Sequence, residues 1–183
     1  MLTTRLTFAV LPRDGFAPQK GLTGGCQISL AGGEAAPVMN RSGHYCFVDL
    51  PAGDYTVVTS AKYYLDQEVA VSTALLDPKS PAIAIDLEPS LAYPFPPGTT
   101  LLKGRIVDPA GNGVSGAQVE IQSFGRRFVS DEHGMFLFYF KGLDQEEERI
   151  RLEVSKVGFR DKHRNVDIER GVTGFIEITL RPD

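Results

Sequence analysis

The sequence predicts an all-β protein of two tandem antiparallel β-sandwich domains, and three observations predict it. Apolar and polar residues alternate along many short runs, helical periodicity is nowhere sustained, and turn-forming clusters separate the runs at short intervals. Alternation with period two is what a strand needs when one of its faces is buried and the other is wet.

Leu6, Phe8 and Val10 share one face of the opening run, with Arg5, Thr7 and Ala9 on the other. Tyr55/Val57, Val69/Val71 and Ile83/Ile85/Leu87 repeat the pattern in the first half, and Ala117/Val119/Ile121, Ile150/Leu152/Val154 and Ile176/Ile178/Leu180 repeat it in the second. Pro12-Arg-Asp-Gly15, Asn40-Arg-Ser-Gly43, Pro51-Ala-Gly-Asp54, Pro109-Ala-Gly-Asn-Gly113 and Asp131-Glu-His-Gly134 each supply turn residues between runs. One run departs from alternation: residues 135–140, Met-Phe-Leu-Phe-Tyr-Phe, carry large side chains on both faces, so something must cover the second. The candidates are the aromatic residues of the nearby linker, the first half of the chain, or a partner protein.

Four prolines lie between Glu88 and Gly98, and proline offers neither a ladder donor nor freedom at φ. The expected organisation is therefore a sandwich over 1–89, a stiff linker over 90–99 and a second sandwich over 100–183. Tyr93 and Phe95 are placed to pin the linker to either module. The halves also resemble each other. Asn40-Arg-Ser-Gly-His-Tyr-Cys-Phe47 matches Asp131-Glu-His-Gly-Met-Phe-Leu-Phe138, Asp86-Leu-Glu-Pro89 matches Thr179-Leu-Arg-Pro182, and Tyr64 stands where Phe159 does. Three matches at nearly one offset point to duplication of a single module.

Gly104-Arg-Ile-Val-Asp-Pro-Ala-Gly-Asn-Gly-Val-Ser-Gly-Ala117, Ser130-Asp-Glu-His-Gly-Met-Phe136 and Val154-Ser-Lys-Val-Gly-Phe159 carry a further resemblance. The second half resembles the carboxypeptidase regulatory-like domain, whose fold is the transthyretin-like (prealbumin-like) sandwich. In that family a first strand ends in Asp and a glycine turn, a Gly-Ala pair opens the second strand, and a Ser/Thr-Asp-x-x-Gly turn precedes an aromatic strand. Val114-Ser115 replaces the usual proline of the first turn. The family's Leu-Pro-x-Gly-x-Tyr element, missing from the second half, stands in the first as Leu50-Pro-Ala-Gly-Asp-Tyr55, so the first half is similar but more divergent. These are turn and strand signatures, which imply a fold and specify no chemistry.

The formal net charge is −4, which gives no basic surface for a phosphate backbone, so nucleic acid is not an expected partner. No apolar run reaches membrane-spanning length. Residues 1–10 alternate like a strand and lack the apolar core and cleavage site of an export leader. The expected location is cytoplasmic, or secreted or envelope-associated if a leader was removed. Cys26 and Cys46 have no C-x-x-C spacing and are expected as free thiols rather than as a disulfide or a metal site.

Catalysis is not expected. Metallocarboxypeptidases that carry the regulatory-like domain keep their zinc in a separate domain, bound through His-x-x-Glu and a distant His. The three histidines here, His44, His133 and His163, have no such spacing. The hydroxyisourate hydrolases of the transthyretin-like fold end in Tyr-Arg-Gly-Ser, whereas the last residues here are Leu180-Arg-Pro-Asp183. Tyr63-Tyr64 invites comparison with the iron tyrosines of intradiol dioxygenases but has no histidine pair beside it, and reads as one core and one surface aromatic. The acidic run Asp144-Gln-Glu-Glu-Glu-Arg149 lacks the pattern of a calcium loop and reads as a solvated hairpin tip.

No catalytic, cofactor or metal residues are therefore assigned. The expected function is that of a non-catalytic structural or adaptor protein with a protein partner, in a larger assembly such as a phage-tail-like particle. Tyr63, Tyr64, Tyr93, Phe95, Met135, Leu137 and Tyr139 form the candidate contact surface. The alternative is a carbohydrate- or peptide-binding module that uses Tyr63, Tyr64, Tyr93 or Phe95 as stacking platforms, a reading weakened by the absence of Trp. Edge strands of an open sandwich also leave homodimerisation open.

Overall fold

Two turns of one design open corresponding strands in the two halves. Asn40 Oδ1 accepts the N–H groups of Ser42 and His44 at 2.9 and 3.0 Å, and Asp131 Oδ1 accepts those of His133 and Met135 at 2.9 and 2.8 Å. Each side chain adds to a turn that the backbone already closes, through the Gly43 N–H on Asn40 O at 3.1 Å and the Gly134 N–H on Asp131 O at 3.0 Å. Gly43 and Gly134 complete the turns at φ of 80° and 78°, a left-handed conformation that costs a glycine nothing.

The computed structural model describes residues 4–33 and 35–183, so Glu34 and the first three residues of the run weighed as a leader lie outside the described residues. The chain divides into two units, Met1–Pro94 and Phe95–Asp183. The first contains β1 (Leu6–Asp14), β2 (Cys26–Leu30), β3 (Val38–Met39), β4 (Tyr45–Val48), β5 (Asp54–Ala61), β6 (Gln67–Ser72) and β7 (Ala82–Leu87). The second contains β8 (Thr100–Val107), β9 (Gln118–Ile121), β10 (Arg126–Val129), β11 (Met135–Phe140), β12 (Glu147–Ser155), β13 (Lys162–Glu169) and β14 (Thr173–Thr179). The only helical turns among the described residues are two short 3₁₀ segments, Thr73–Leu75 and Gln122–Phe124.

The architecture is all-β sandwich, as the alternation requires. In the first unit the sheet β3-β4-β1-β7 packs on β2-β5-β6; in the second, β11-β8-β14 packs on β10-β9-β12-β13. Phe8 of β1 stacks on Phe47 of β4 at 4.8 Å between ring centroids and meets Tyr55 of β5 across the core at 5.7 Å. Phe138 of β11 meets Phe128 of β10 edge-on at 6.2 Å. Each central strand, β1 or β8, has an antiparallel neighbour on one side and a parallel one on the other, β7 or β14.

One sheet of each unit, β3-β4-β1-β7 and β11-β8-β14, is therefore mixed, not antiparallel as expected, while β2-β5-β6 and β10-β9-β12-β13 are antiparallel throughout. β7 and β14 follow strands that belong to the opposite sheet, so no hairpin dictates their direction. A second correction concerns Pro12, read as the start of a turn. β1 continues through Pro12 and Arg13 to Asp14, with Pro12 opposite Ile85 of β7. The N–H groups of Ala9 and Gly15 point toward β7, to Pro81 O and Leu87 O, so the even-numbered residues between them face the β4 side. Pairing with β4 ends at Val10, and Pro12 therefore removes no ladder bond.

The two units share strand order and differ at the short strand that precedes the aromatic one. β3 joins the sheet of β4, whereas β10 joins the sheet of β9. The isolated bridges Tyr64–Pro89 and Phe159–Pro182 occupy the same place in both.

Cys26 and Cys46 are both free and half-buried. Cys26 points to the same face as buried Ile28 and Leu30, whereas Cys46 alternates with core-facing Phe47 and points away from that core. A disulfide between them is excluded by this geometry, and burial pushes the Cys26 thiol above its ordinary value. Intact mass is expected to be unchanged by reduction, with Cys46 alkylated faster than Cys26 in the native protein. A mass change on reduction would refute the assignment.

Candidate functional site

Asp14, at the end of β1, is the buried ionisable side chain around which the first unit is organised, with 1% of its surface exposed. Its Oδ1 accepts the N–H groups of Phe16 at 2.8 Å and Ala17 at 2.9 Å. Its Oδ2 accepts the hydroxyls of Tyr93 at 2.6 Å and Tyr64 at 3.1 Å. The Tyr64 oxygen in turn accepts the N–H of Thr23 at 3.1 Å. The rings close over the carboxylate, with Tyr64 edge-on to Tyr93 at 5.5 Å and Phe16 against Tyr93 at 5.7 Å.

The second unit shows what this cluster changes. Phe159 stands at the place of Tyr64 and carries no hydroxyl. Asp108, which follows β8 as Asp14 ends β1, turns instead to its own loop. It accepts the Asn112 side-chain amide at 3.0 Å and the N–H groups of Asn112 and Ala110, both at 2.8 Å, and these bonds, that from the Asn112 side chain foremost, hold its carboxyl below the usual range. Sequence reasoning did not single out Asp14. The available signal was the pairing of Tyr64 with Phe159 beside two equivalent aspartates.

Burial, and then hydrogen bonding to the Asp14 carboxylate and its charge, push the Tyr93 hydroxyl above the ordinary value of 10.0. Burial is also the main cause for Tyr64, where Asp14 adds to it and the bonds from Thr23 oppose it. The folded state thus keeps protons that the unfolded chain releases near pH 10. Stability from these hydroxyls is fully present below that pH and declines as pH rises above it. The contribution of these two hydroxyls to unfolding free energy is expected to be flat to about pH 9 and then to fall by up to about 1.4 kcal/mol per pH unit for each. Tyr93→Phe should make the fall shallower in urea titrations, and an equal slope in both proteins would contradict the assignment.

Four of the seven candidate contact residues are buried. Tyr64 and Tyr93 belong to the Asp14 cluster, and Leu137 and Tyr139 are 2% and 7% exposed, so none of the four is an exposed stacking platform. Phe95 packs against Tyr139 at 5.7 Å, and the Arg126 guanidinium lies 3.9 Å from the centre of the same ring. At Tyr139, then, the second face of β11 is covered from within its own unit. Tyr63, Phe95 and Met135 stay partly exposed, with the Lys62 ammonium 5.1 Å over the Tyr63 ring.

The histidines stand apart. His133 lies beside Glu132 at 3.5 Å and His163 beside Glu153 at 3.7 Å, while His44 follows the Asn40 turn with its Nδ1 buried and without a partner among the described residues. Residues 144–147 are exposed, and among the described residues no group of three or more His, Cys, Asp or Glu side chains is placed to hold a metal ion. No helix of the described residues is long and apolar enough to cross a membrane.

A cleft of about 590 Å³ in the first unit is walled by Leu6, Leu50, Pro51, Leu76, Pro78 and Pro81. Its polar side chains serve the fold. Asp49 Oδ1 accepts the Arg5 N–H at 2.8 Å, Thr7 Oγ1 the Leu50 N–H at 2.9 Å and Thr73 Oγ1 the Gly53 N–H at 2.8 Å. Polar groups spent in this way do not converge on a ligand.

The turn at Asp131, the strand order around β8 and the bridge at Phe159 all belong to the second unit. Residues 101–181 match the carboxypeptidase regulatory-like domain. The matched module runs from β8 to the residues just past β14, so it takes in both sheets of the second sandwich. No curated protein matches the chain. Among solved structures the chain is similar to a streptococcal ancillary pilin, with 10% identity, 98% of this chain and 69% of that one covered, and a TM-score of 0.39. It is also similar to GBS52, the minor pilin of Streptococcus agalactiae, with 14% identity, 96% and 95% covered, and a TM-score of 0.37. For the shaft pilin spaA from Lactobacillus rhamnosus GG the values are 11% identity, 99% and 98% covered, and a TM-score of 0.36.

Proposed function

We propose that the chain is a non-catalytic structural or adaptor protein that makes protein–protein contacts within a larger assembly. The observation that carries this reading is where its chemistry and its exposed apolar groups lie. Asp14, the buried carboxylate, spends its oxygens on four hydrogen bonds inside the fold. Val38 and Met39 of β3, Val129 of β10 and Phe175 of β14 are all more than half exposed, and each belongs to a strand at the edge of a sheet. Apolar groups at sheet edges favour contact with another chain.

In the same reading the first unit is a divergent copy of the regulatory-like module. Shared strand order, the paired turns at Asn40 and Asp131 and the paired bridges at Tyr64 and Phe159 support duplication.

The test is mild affinity purification of the tagged protein from its native cells, with native mass measurement of everything retained. Stoichiometric recovery of proteins from a tail-like particle would place it in a machine built in the cytosol, and recovery of envelope proteins would place it at the cell surface. Recovery of the chain with no other protein and no second copy would overturn the reading. It would turn attention to the cleft beside Leu6 and Leu50, whose size suits a short peptide or sugar.

A further inference from the structure

β14 is an edge strand, with β8 on one side and, among the described residues, no strand on the other. Two bonds settle which of its backbone groups face outward. Leu101 N–H donates to Val172 O at 3.0 Å and Leu180 N–H donates to Val107 O at 2.8 Å, so the even-numbered residues of β14 aim their N–H and C=O groups at β8. Thr173, Phe175, Glu177 and Thr179 turn theirs away from it. Among the described residues no backbone hydrogen bond reaches those groups.

Six of the other seven edge strands are blunted in the ways that discourage pairing, the exception being β6, which carries the single charge Glu68. β3 has two residues, β10 carries Arg126 and Arg127, and β13 carries Lys162, Arg164, Asp167 and Glu169. Asp86 of β7 is held by Arg13 at 2.7 Å, and the Cys26 carbonyl of β2 accepts the Tyr45 hydroxyl at 2.8 Å. On β11 the Tyr139 carbonyl is taken by the Arg126 guanidinium. β14 carries one charge, Glu177, and leaves Phe175 63% exposed.

We propose that β14 pairs antiparallel with β14 of a second copy, about a two-fold axis through Ile176. The outward-facing residues are symmetric about Ile176, so Thr173 meets Thr179 of the second copy and Phe175 meets its Glu177, each pair exchanging two hydrogen bonds. Thr opposite Thr is a favourable cross-strand pair, and no like charges stand directly opposite. Neighbouring two-fold registers are worse. One sets Glu177 against Glu177. The other sets Phe175 against Phe175 but Thr173 against Glu177, and reaches Thr179 only by bringing in Gly171, whose N–H is already donated to Thr100 Oγ1 at 2.8 Å. This inference rests on the contact reading above and names its partner as a second copy.

The decisive measurement is solution mass as a function of concentration. The native chain is expected to approach about 40 kDa, twice the 20.0 kDa chain, and Phe175→Glu, which sets a carboxylate against Glu177 in both pairs, to stay at 20.0 kDa with an unchanged urea midpoint, since that side chain is exposed. The register has its own test in a chain with Cys26→Ser and Cys46→Ser. Ile176→Cys should oxidise to a covalent dimer, because only this register sets residue 176 opposite itself at the close spacing of a non-hydrogen-bonded pair, whereas Phe175→Cys should not. A native chain that stays at 20.0 kDa at high micromolar concentration overturns the pairing. If such a monomer still retains another protein from its cells, the contact reading survives. If it retains nothing, both fail.

Discussion

Asp14→Ala is expected to destabilise the first unit by roughly 4 kcal/mol, because it strands four donors that the fold has already removed from water. The Phe16 and Ala17 N–H groups lose their acceptor at the mouth of the turn, and the Tyr64 and Tyr93 hydroxyls lose theirs in the interior. Asp14→Asn should cost much less, about 1–2 kcal/mol. The amide oxygen keeps the two backbone N–H groups, and either hydroxyl can rotate to accept from the amide nitrogen. Tyr93→Phe removes one donor and leaves the carboxylate with three, so it should fall between them. The order Ala, then Tyr93→Phe, then Asn in urea midpoints is what a shared carboxylate predicts. Equal losses for Asp14→Ala and Asp14→Asn would mean that the charge itself, and not the accepting oxygens, holds the cluster.

Gly104→Val should cost the second unit about 3 kcal/mol or more, for a steric reason. Gly104 lies on β8 opposite Phe136 of β11 and Ile176 of β14. A Cβ built there overlaps the Phe136 ring and comes 2.8 Å from the Ile176 carbonyl oxygen. The ring is fully buried and in contact with Phe138, so it has no room to withdraw. Gly104→Ala combined with Phe136→Leu should recover part of the loss of Gly104→Ala alone, since the shorter side chain vacates the space of the ring. If the double variant is simply the sum of the two single changes, measured by urea unfolding, the contact does not govern the position.

The alternation that announced the strands held because it reports burial directly. Ile150, Leu152 and Val154 are buried and Arg149, Arg151 and Glu153 face outward, with Arg149 bonded to Asp167 of the neighbouring strand at 2.7 Å. The turns were legible for the same local reason, since Asn40 and Asp131 bond to backbone within a few residues. Pro12 was misread because its cost depends on whether β4 extends that far, which is a fact about a strand more than thirty positions away. The parallel sense of β7 and β14 lies beyond local signals too, because it is set by which sheet the preceding strand joins.

The candidate site was less legible than the fold. Tyr64, Tyr93, Leu137 and Tyr139 were noticed as large side chains in unusual places, but residue type does not say whether an aromatic is exposed or buried. Only packing around Asp14 placed the first pair in the interior, and only the arrival of Phe95 and Arg126 explained why Tyr139 on the second face of β11 is covered.

Composition, periodicity and turn chemistry by themselves determined that this protein is built of β-sandwich modules, because those signals come from neighbouring residues and from one face of a strand. Which carboxylate is buried, which tyrosines satisfy it, and which strand keeps an open edge were decided by the tertiary structure. Each depends on groups far apart in the chain, Asp14 with Tyr93 or Thr100 with Gly171, meeting at hydrogen-bond distance.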